Sequence, residues 1–231
     1  MFNIIPGPMI TLRLFLPTCL SALVATGETP PPAAANQTAA MAMQRFVFAS
    51  PDLKQVETLL QSGFDTRQPI GCGTYDTLDA AVGTANPELA DLLIHYGAKP
   101  KESTFIGAAF IAPHEKALRL VRAFLAAGCS VNSKDEYGST ALHRAVWRQN
   151  LELVSLLLSQ KDVSLDGLDI DGRTPLMIAV EKGDKRLVEA LLKAGADASV
   201  KNSKDMTAVD LSQAVVTKQL ELQTLLQAKA R

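Results

Sequence analysis

The stretch GRTPLMIAVEKGD, residues 172–184, sets Gly, Thr and Pro close together, follows them with apolar positions, and ends on a second Gly and an acid. Taken alone it could be a phosphate-cradling loop, a catalytic turn or one copy of a structural unit. Repetition decides among the three. Extended upstream, the motif reads DIDGRTPLMIA (169–179), and DEYGSTALHRA (135–145) matches it one unit earlier. A degraded third copy is SKDMTAVDL (203–211). The ends of the units repeat as well. The pattern V-x-x-L-L-x-x-G appears as VETLLQSG (56–63), ADLLIHYG (90–97), VRAFLAAG (121–128), VSLLLSQK (154–161) and VEALLKAG (188–195), at spacings of 34, 31, 33 and 34 residues.

Each part of the unit has a physical role. Gly138 and Gly172 supply the backbone freedom a β-turn requires. Thr140 and Thr174 stand where a helix needs an N-cap. Pro175 is pre-set for the first helical turn. Leu176, Ile178 and Ala179 then face neighbouring helices, Gly183-Asp184 turns the chain, and Gly195 closes the second helix in a left-handed cap.

These motifs resemble the ankyrin repeat, whose pattern is D-x-x-G-x-T-P-L-H-x-A followed by a Gly turn and V-x-x-L-L-x-x-G-A. The resemblance is close over 135–168 and 169–202 and degenerate elsewhere. It implies an all-α solenoid of helix-turn-helix units joined by β-turn loops, about six of them at 37–70, 71–102, 103–134, 135–168, 169–202 and 203–231. The first and last are caps, which must present a polar outer face. It also implies that the His of T-P-L-H bonds turn backbone of the next unit. Only His143 fills that slot, and Asp79, Gly107, Met177 and Asp210 stand in the others. Two irregularities break the count. The Gly97-to-Thr104 link is about five residues short, and unit three carries about three extra residues within 110–116, so that the 110–117 segment is expected to project or kink.

The N-terminal part differs. MITLRLFLPTCLSALVATG (9–27) has an Arg, a short apolar run and a small-residue exit, which reads as a Sec-type signal peptide over 1–27 cut after Ala25 or Gly27. A Pro/Ala-rich spacer (28–36) follows. The run is about half the ~20 residues a spanning helix needs, so no membrane insertion is expected once it is removed. An uncleaved anchor, or lipid attachment at Cys19, are the alternatives. The expected location is the periplasm and the expected state a monomer.

Composition narrows function. The net charge of −1 gives no basic surplus for nucleic acid. His95, His114 and His143 are the only histidines and lie too far apart for ligand pairs, so neither metal nor cofactor is expected. No G-x-S-x-G elbow occurs, and Gly71-Cys72-Gly73 lacks a P-loop lysine. Cys72 and Cys129 fall on different levels of a stack and are not expected to pair.

What remains is a binding surface. The resemblance places partner contacts on turn tips and on the open side of each first helix. By position these are Glu136, Tyr137, Ser139, Trp147 and Arg148 in one unit and Ile170, Asp171, Arg173, Glu181 and Lys182 in the next, with Tyr75 and Phe110 at comparable places. The sole Trp and one of three Tyr lie there beside an Arg, the types that most often anchor interfaces. The expectation is a non-enzymatic, exported protein-binding scaffold. The alternatives are an inhibitor or immunity protein that blocks a toxin or hydrolase, an enzyme or accessory factor of envelope or redox chemistry using His114, Glu115 or Cys129, and an effector acting in a host cell.

Overall fold

The computed structural model describes residues 39–45, 52–67, 70, 75–111 and 113–213. The leader, the spacer, Cys19, Cys72 and the last eighteen or so residues lie outside them. Among the described residues the chain is all-helical, with 11 helices and no strand. They are α1 (39–45), α2 (Leu53–Gln61), α3 (Thr77–Gly83), α4 (Pro87–His95), α5 (Glu102–Ile111), α6 (His114–Ala126), α7 (Ala141–Trp147), α8 (Leu151–Leu158), α9 (Pro175–Lys182), α10 (Lys185–Ala194) and α11 (208–213).

Consecutive helices pair, α3 with α4, α5 with α6, α7 with α8 and α9 with α10. The pairs then stack in two rows. The first helices α3, α5, α7 and α9 pack side by side, and the second helices α4, α6, α8 and α10 do the same. Small residues make the first row possible. Ala81, Ala109, Ala145 and Ala179 recur at one place in each first helix and are buried, where a larger side chain would push neighbours apart. Leu78, Ile106, Leu142 and Leu176 fill the core three residues earlier. Ala90 with Leu93, Val121 with Phe124 and Val154 with Leu157 do so from the second row.

Short polar residues start the helices. Asp52, Asp76, Asn86, Asn150, Thr174 and Asp184 each accept backbone N–H bonds from the first turn of their helix, satisfying donors that would otherwise be orphaned. Pro113 precedes α6 and provides no such bond. Phe110 therefore does not sit in a projecting loop, as the sequence suggested for 110–117. The extra residues lengthen α6 to 13 residues by starting it at His114, against 8 for α8, while α5 ends at Ile111 in register with the end of α7 at Trp147. The short link after Gly97 has a related cause. α5 begins at Glu102, two residues before Thr104, so Thr104 is not a cap but a buried hydroxyl that donates to Asp79 of the preceding unit.

The turns copy one another closely. Gly138 and Gly172 adopt φ of +65° and +71°, and Asp205 takes the same place one unit on at +57°. That turn opens at Asn202, one residue before the Ser203 at which the degraded copy was read, and Asn202 Oδ1 accepts from Lys204 N and Met206 N. Between paired helices, Gly183 is left-handed at φ +68°, while Ala85 and Gln149 hold the same place in other units.

His143 fastens one unit to the next. Its Nδ1 accepts from the Thr140 amide (3.1 Å) and lies 2.9 Å from the Thr140 hydroxyl. Its Nε2 lies 3.0 Å from Gly167 O and 3.2 Å from Arg173 O. Two donors on one side and two acceptors on the other select the neutral Nε2–H tautomer. Burial holds the imidazole below its usual pKa, against the Arg173 carbonyl, the Asp169 carboxylate and the Gly167 carbonyl, all of which favour the cation. Elsewhere a carboxylate does similar work. Asp79 accepts from Asp76 N and pairs with Lys101 at the far end of its unit, and Asp210 accepts from Thr207 N and its hydroxyl.

Two predictions test this scaffold. A Cβ on Gly172 would meet Ser203 N at 2.6 Å, whereas one on Gly183 meets nothing within 4 Å, and both have positive φ. Gly183→Ala is expected to cost about 1–2 kcal/mol, and Gly172→Ala about 1 kcal/mol more, by urea unfolding. Equal losses would mean that the Gly172–Ser203 approach carries no constraint. For His143 the folded pKa lies below the unfolded one, near 6.5. Its contribution is therefore complete above about pH 6.5 and drains away as the pH falls below that value. Unfolding free energy should drop between neutral pH and about pH 5.5, and His143→Gln should flatten that slope. An unchanged slope in the variant would place the titration elsewhere.

Candidate protein-binding surface

The surface is built from the turns upward. Asp135 Oδ1 accepts from the amides of Tyr137 and Ser139, and Asp169 Oδ1 accepts from those of Asp171 and Arg173. Each turn is thus knotted around its own carboxylate, which fixes the tip. Consecutive tips are also joined. Ile170 N donates to Tyr137 O at 2.8 Å, and Ser203 Oγ donates to Asp171 O at 2.7 Å. Glu136, Tyr137, Ile170 and Asp171 are exposed along this joined edge.

The remaining carboxylate oxygens hold arginines. Arg144 donates from Nε and Nη2 to Asp135 Oδ2 at 3.0 and 2.5 Å. Its guanidinium lies between two rings, with Cζ 5.1 Å from the Phe110 centroid and 5.5 Å from that of Tyr137. One cation therefore joins a first helix of unit three to a turn of unit four. Sequence reasoning missed Arg144. The available signal was an Arg beside the His slot, nine residues after the turn Asp, but nothing local showed that rings from two units would close on it.

Arg173 is used differently. It makes a forked contact with Asp169 Oδ2 (3.1 and 2.9 Å), touches Asp171 at 2.9 Å and reaches Glu181 at 3.6 Å. Burial alone would raise the Asp169 pKa, but the backbone and side-chain bonds from Arg173 outweigh it and leave the carboxyl below its usual value. Arg173 itself is pushed up by these anions despite its burial. The network stiffens the unit, and Arg173 is spent inside it.

Ser139 needs a correction. It is buried, its amide tied to Asp135 Oδ1 and its carbonyl accepting from Asp135 N at 3.0 Å. The residue after the turn Gly closes the turn and is not available to a partner. Trp147 ends α7 and is 42% exposed, with Lys182 Nζ of the next unit 3.3 Å from the ring centroid. Arg148 is exposed beside it. Tyr75 is exposed on an earlier unit, and among the described residues no ring or cation contact ties it to this group.

The residues considered for chemistry are scattered. His114 and Glu115 are exposed in the first turn of α6. Cys129 is half-buried, and burial, with the Glu102 carboxylate, pushes its thiol up, which disfavours the nucleophilic thiolate. Among the described residues no cluster of three or more His, Cys, Asp or Glu could hold a metal ion, and no helix is long and apolar enough to cross a membrane.

Comparison with known proteins agrees with this architecture. A family model described as ankyrin repeats matches residues 108–202 as three copies. The chain is 38% identical over 106 residues to the nuclear factor NF-kappa-B p105 subunit of Mus musculus, covering 46% of this chain and 11% of that protein. It is 41% identical over 76 residues to neurogenic locus notch homolog protein 4 of Homo sapiens, covering 33% of this chain and 4% of that one. An I-Kappa-B like protein C2 of Microplitis demolitor bracovirus is 35% identical over 74 residues, covering 32% of this chain and 41% of its own length. The chain thus spans less than half the length of each of these relatives. Residues 108–202 thus carry three ankyrin repeats, set inside a continuous stack of like helix pairs.

Proposed function

We propose that this chain is a non-enzymatic scaffold that binds a protein partner through the face made by its turn tips and by α5, α7 and α9. The observation that carries the reading is the row of large side chains left uncovered there. Tyr137, Trp147 and Ile170 are 52%, 42% and 71% exposed, although the repeat requires none of them to be apolar. Large uncovered apolar groups on an otherwise well-packed molecule mark interaction sites. They sit on a rigid platform, because the tips at 135–139 and 169–173 are each tied to their own carboxylate and to one another, so little order remains to be imposed on binding. Phe110, Arg148 and Lys182 extend the same face.

The proposal includes export. The leader-like composition of residues 9–27 and the Pro/Ala spacer support a mature domain working in a periplasm. Fractionation with N-terminal sequencing tests this, and a mature N-terminus just after Ala25 or Gly27 is expected. A full-length membrane-bound product would overturn it.

Tyr137→Ala and Trp147→Ala are each expected to weaken partner capture by about 2 kcal/mol while circular dichroism shows unchanged helix content. Loss of helix in both variants would make these rings part of the core and remove the surface from consideration.

A further inference from the structure

The scaffold reading leaves the chemistry of the partner open, and the charges around Trp147 narrow it. Most charged groups on this face already have counter-ions. Arg144 is paired with Asp135, while Asp169, Asp171 and Glu181 converge on Arg173. Two cations are different. Lys182 has no carboxylate partner or hydrogen bond among the described residues, and neither has Arg148. Lys182 is nevertheless held in place. Its ammonium rests on the Trp147 ring, so one side faces the π-cloud and the N–H donors on its other side stay open. A lysine ordinarily loses much rotamer freedom when it forms an ion pair. Here the ring has already confined it, which makes it a pre-positioned anion receptor.

The other end of the same face carries the opposite character. Around the tips stand the exposed Tyr137 and Ile170, together with Glu136, which has no ion pair among the described residues. An acid would be repelled there and an apolar side chain would be covered. The two ends are separated by the length of α7, 7 residues or about 10 Å.

We propose, on the basis of the scaffold reading, that the partner presents an acidic segment in extended form. A carboxylate is received by Lys182 and Arg148 over Trp147, and an apolar side chain rests on Tyr137 and Ile170. In the extended polyproline II form, with three residues per turn and about 3.1 Å per residue, side chains three residues apart lie on one side about 9 Å from each other, which matches this separation.

Trp147 is the sole Trp of the chain, so its emission reports this site directly. Three pools of short Trp-free peptides are titrated into the full-length protein. Each fixes a Leu and, three residues further on, a Glu, a Gln or a Lys, with the other positions varied. The Glu pool is expected to change Trp147 emission saturably and to bind about tenfold more tightly than the Gln pool, with the Lys pool weakest. The preference should shrink as salt shortens the screening length from ~10 Å at 0.1 M to ~3 Å at 1 M. Lys182→Gln should abolish the preference and Lys182→Arg should retain it, with thermal unfolding of both variants unchanged. Equal binding of the Glu and Lys pools, or no saturable change with the Glu pool, overturns the proposal. The scaffold reading fails separately, if a captured native partner is indifferent to Tyr137→Ala. A partner lost with Tyr137→Ala but indifferent to Lys182→Gln would leave the scaffold standing and reject the acidic segment.

Discussion

A pair of helices as short as α7 and α8 cannot bury its own apolar side, and each pair in this chain is completed only by the next. Leu142 and Ala145 are sealed by α9 on one side and α5 on the other, and Leu153 and Leu157 by α10 and α6. Core formation is therefore a matter between neighbours, repeated along the stack. Everything that fixes the angle and spacing of one pair against the next carries a share of the fold's stability, which is why so many hydrogen bonds here span about thirty residues of sequence. Asn132 receives an amide from Ser164 and donates to Asp162 O, Asp197 N donates to Asp166, and Ile170 N donates to Tyr137 O.

The junction can be built from different groups provided that no polar atom is stranded. At α7 a neutral imidazole bridges the amide and hydroxyl of Thr140 and two carbonyls. At α3 a carboxylate accepts from its own turn, from Lys101 at the end of its unit and from Thr104 of the next. At α9, Met177 supplies only its backbone amide to Thr174, and the fork between Arg173 and Asp169 holds the turn instead. The departures from the family pattern are thus changes of chemistry at a fixed place, and the spacing of the units survives them. The cost shows in pH behaviour, because an imidazole that must remain neutral ties the junction to proton concentration.

The architecture was legible because its causes are local and repeated. A Gly, a Thr and an alanine at fixed distances announce a turn, a cap and a close helix contact, and the period of the helix ends announces the stack. The irregular places were read less well, for a physical reason. Three extra residues can enlarge a loop or lengthen a helix, and the composition of the stretch around Phe110 does not choose between them; in the structure they extend the start of α6. The candidate surface was legible in part. Tyr137, Trp147 and Ile170 stand out as large residues where the repeat demands none. Ser139 was misjudged because the pattern shows that its position varies but not that the turn folds it inward. Arg144 was overlooked because its surroundings come from Phe110 of one unit and Tyr137 of another.

The same surface explains why its cations sit on rings. A lysine or arginine held by a carboxylate is neutral to an incoming partner, and a free one is costly to immobilise. A cation laid on an aromatic face keeps its full charge while losing its freedom. Arg144 has both a carboxylate and two rings, so it acts as a rivet between units and contributes little net charge to the face. Lys182 has a ring alone, so its charge remains expressed at the surface. Two side chains of the same sign in adjacent units thus divide the work, and the division follows from whether an aspartate of the turn lies within reach. The repeat places that aspartate at the tip end of the helix row. The charge left over for recognition therefore collects at the opposite end, beside Trp147.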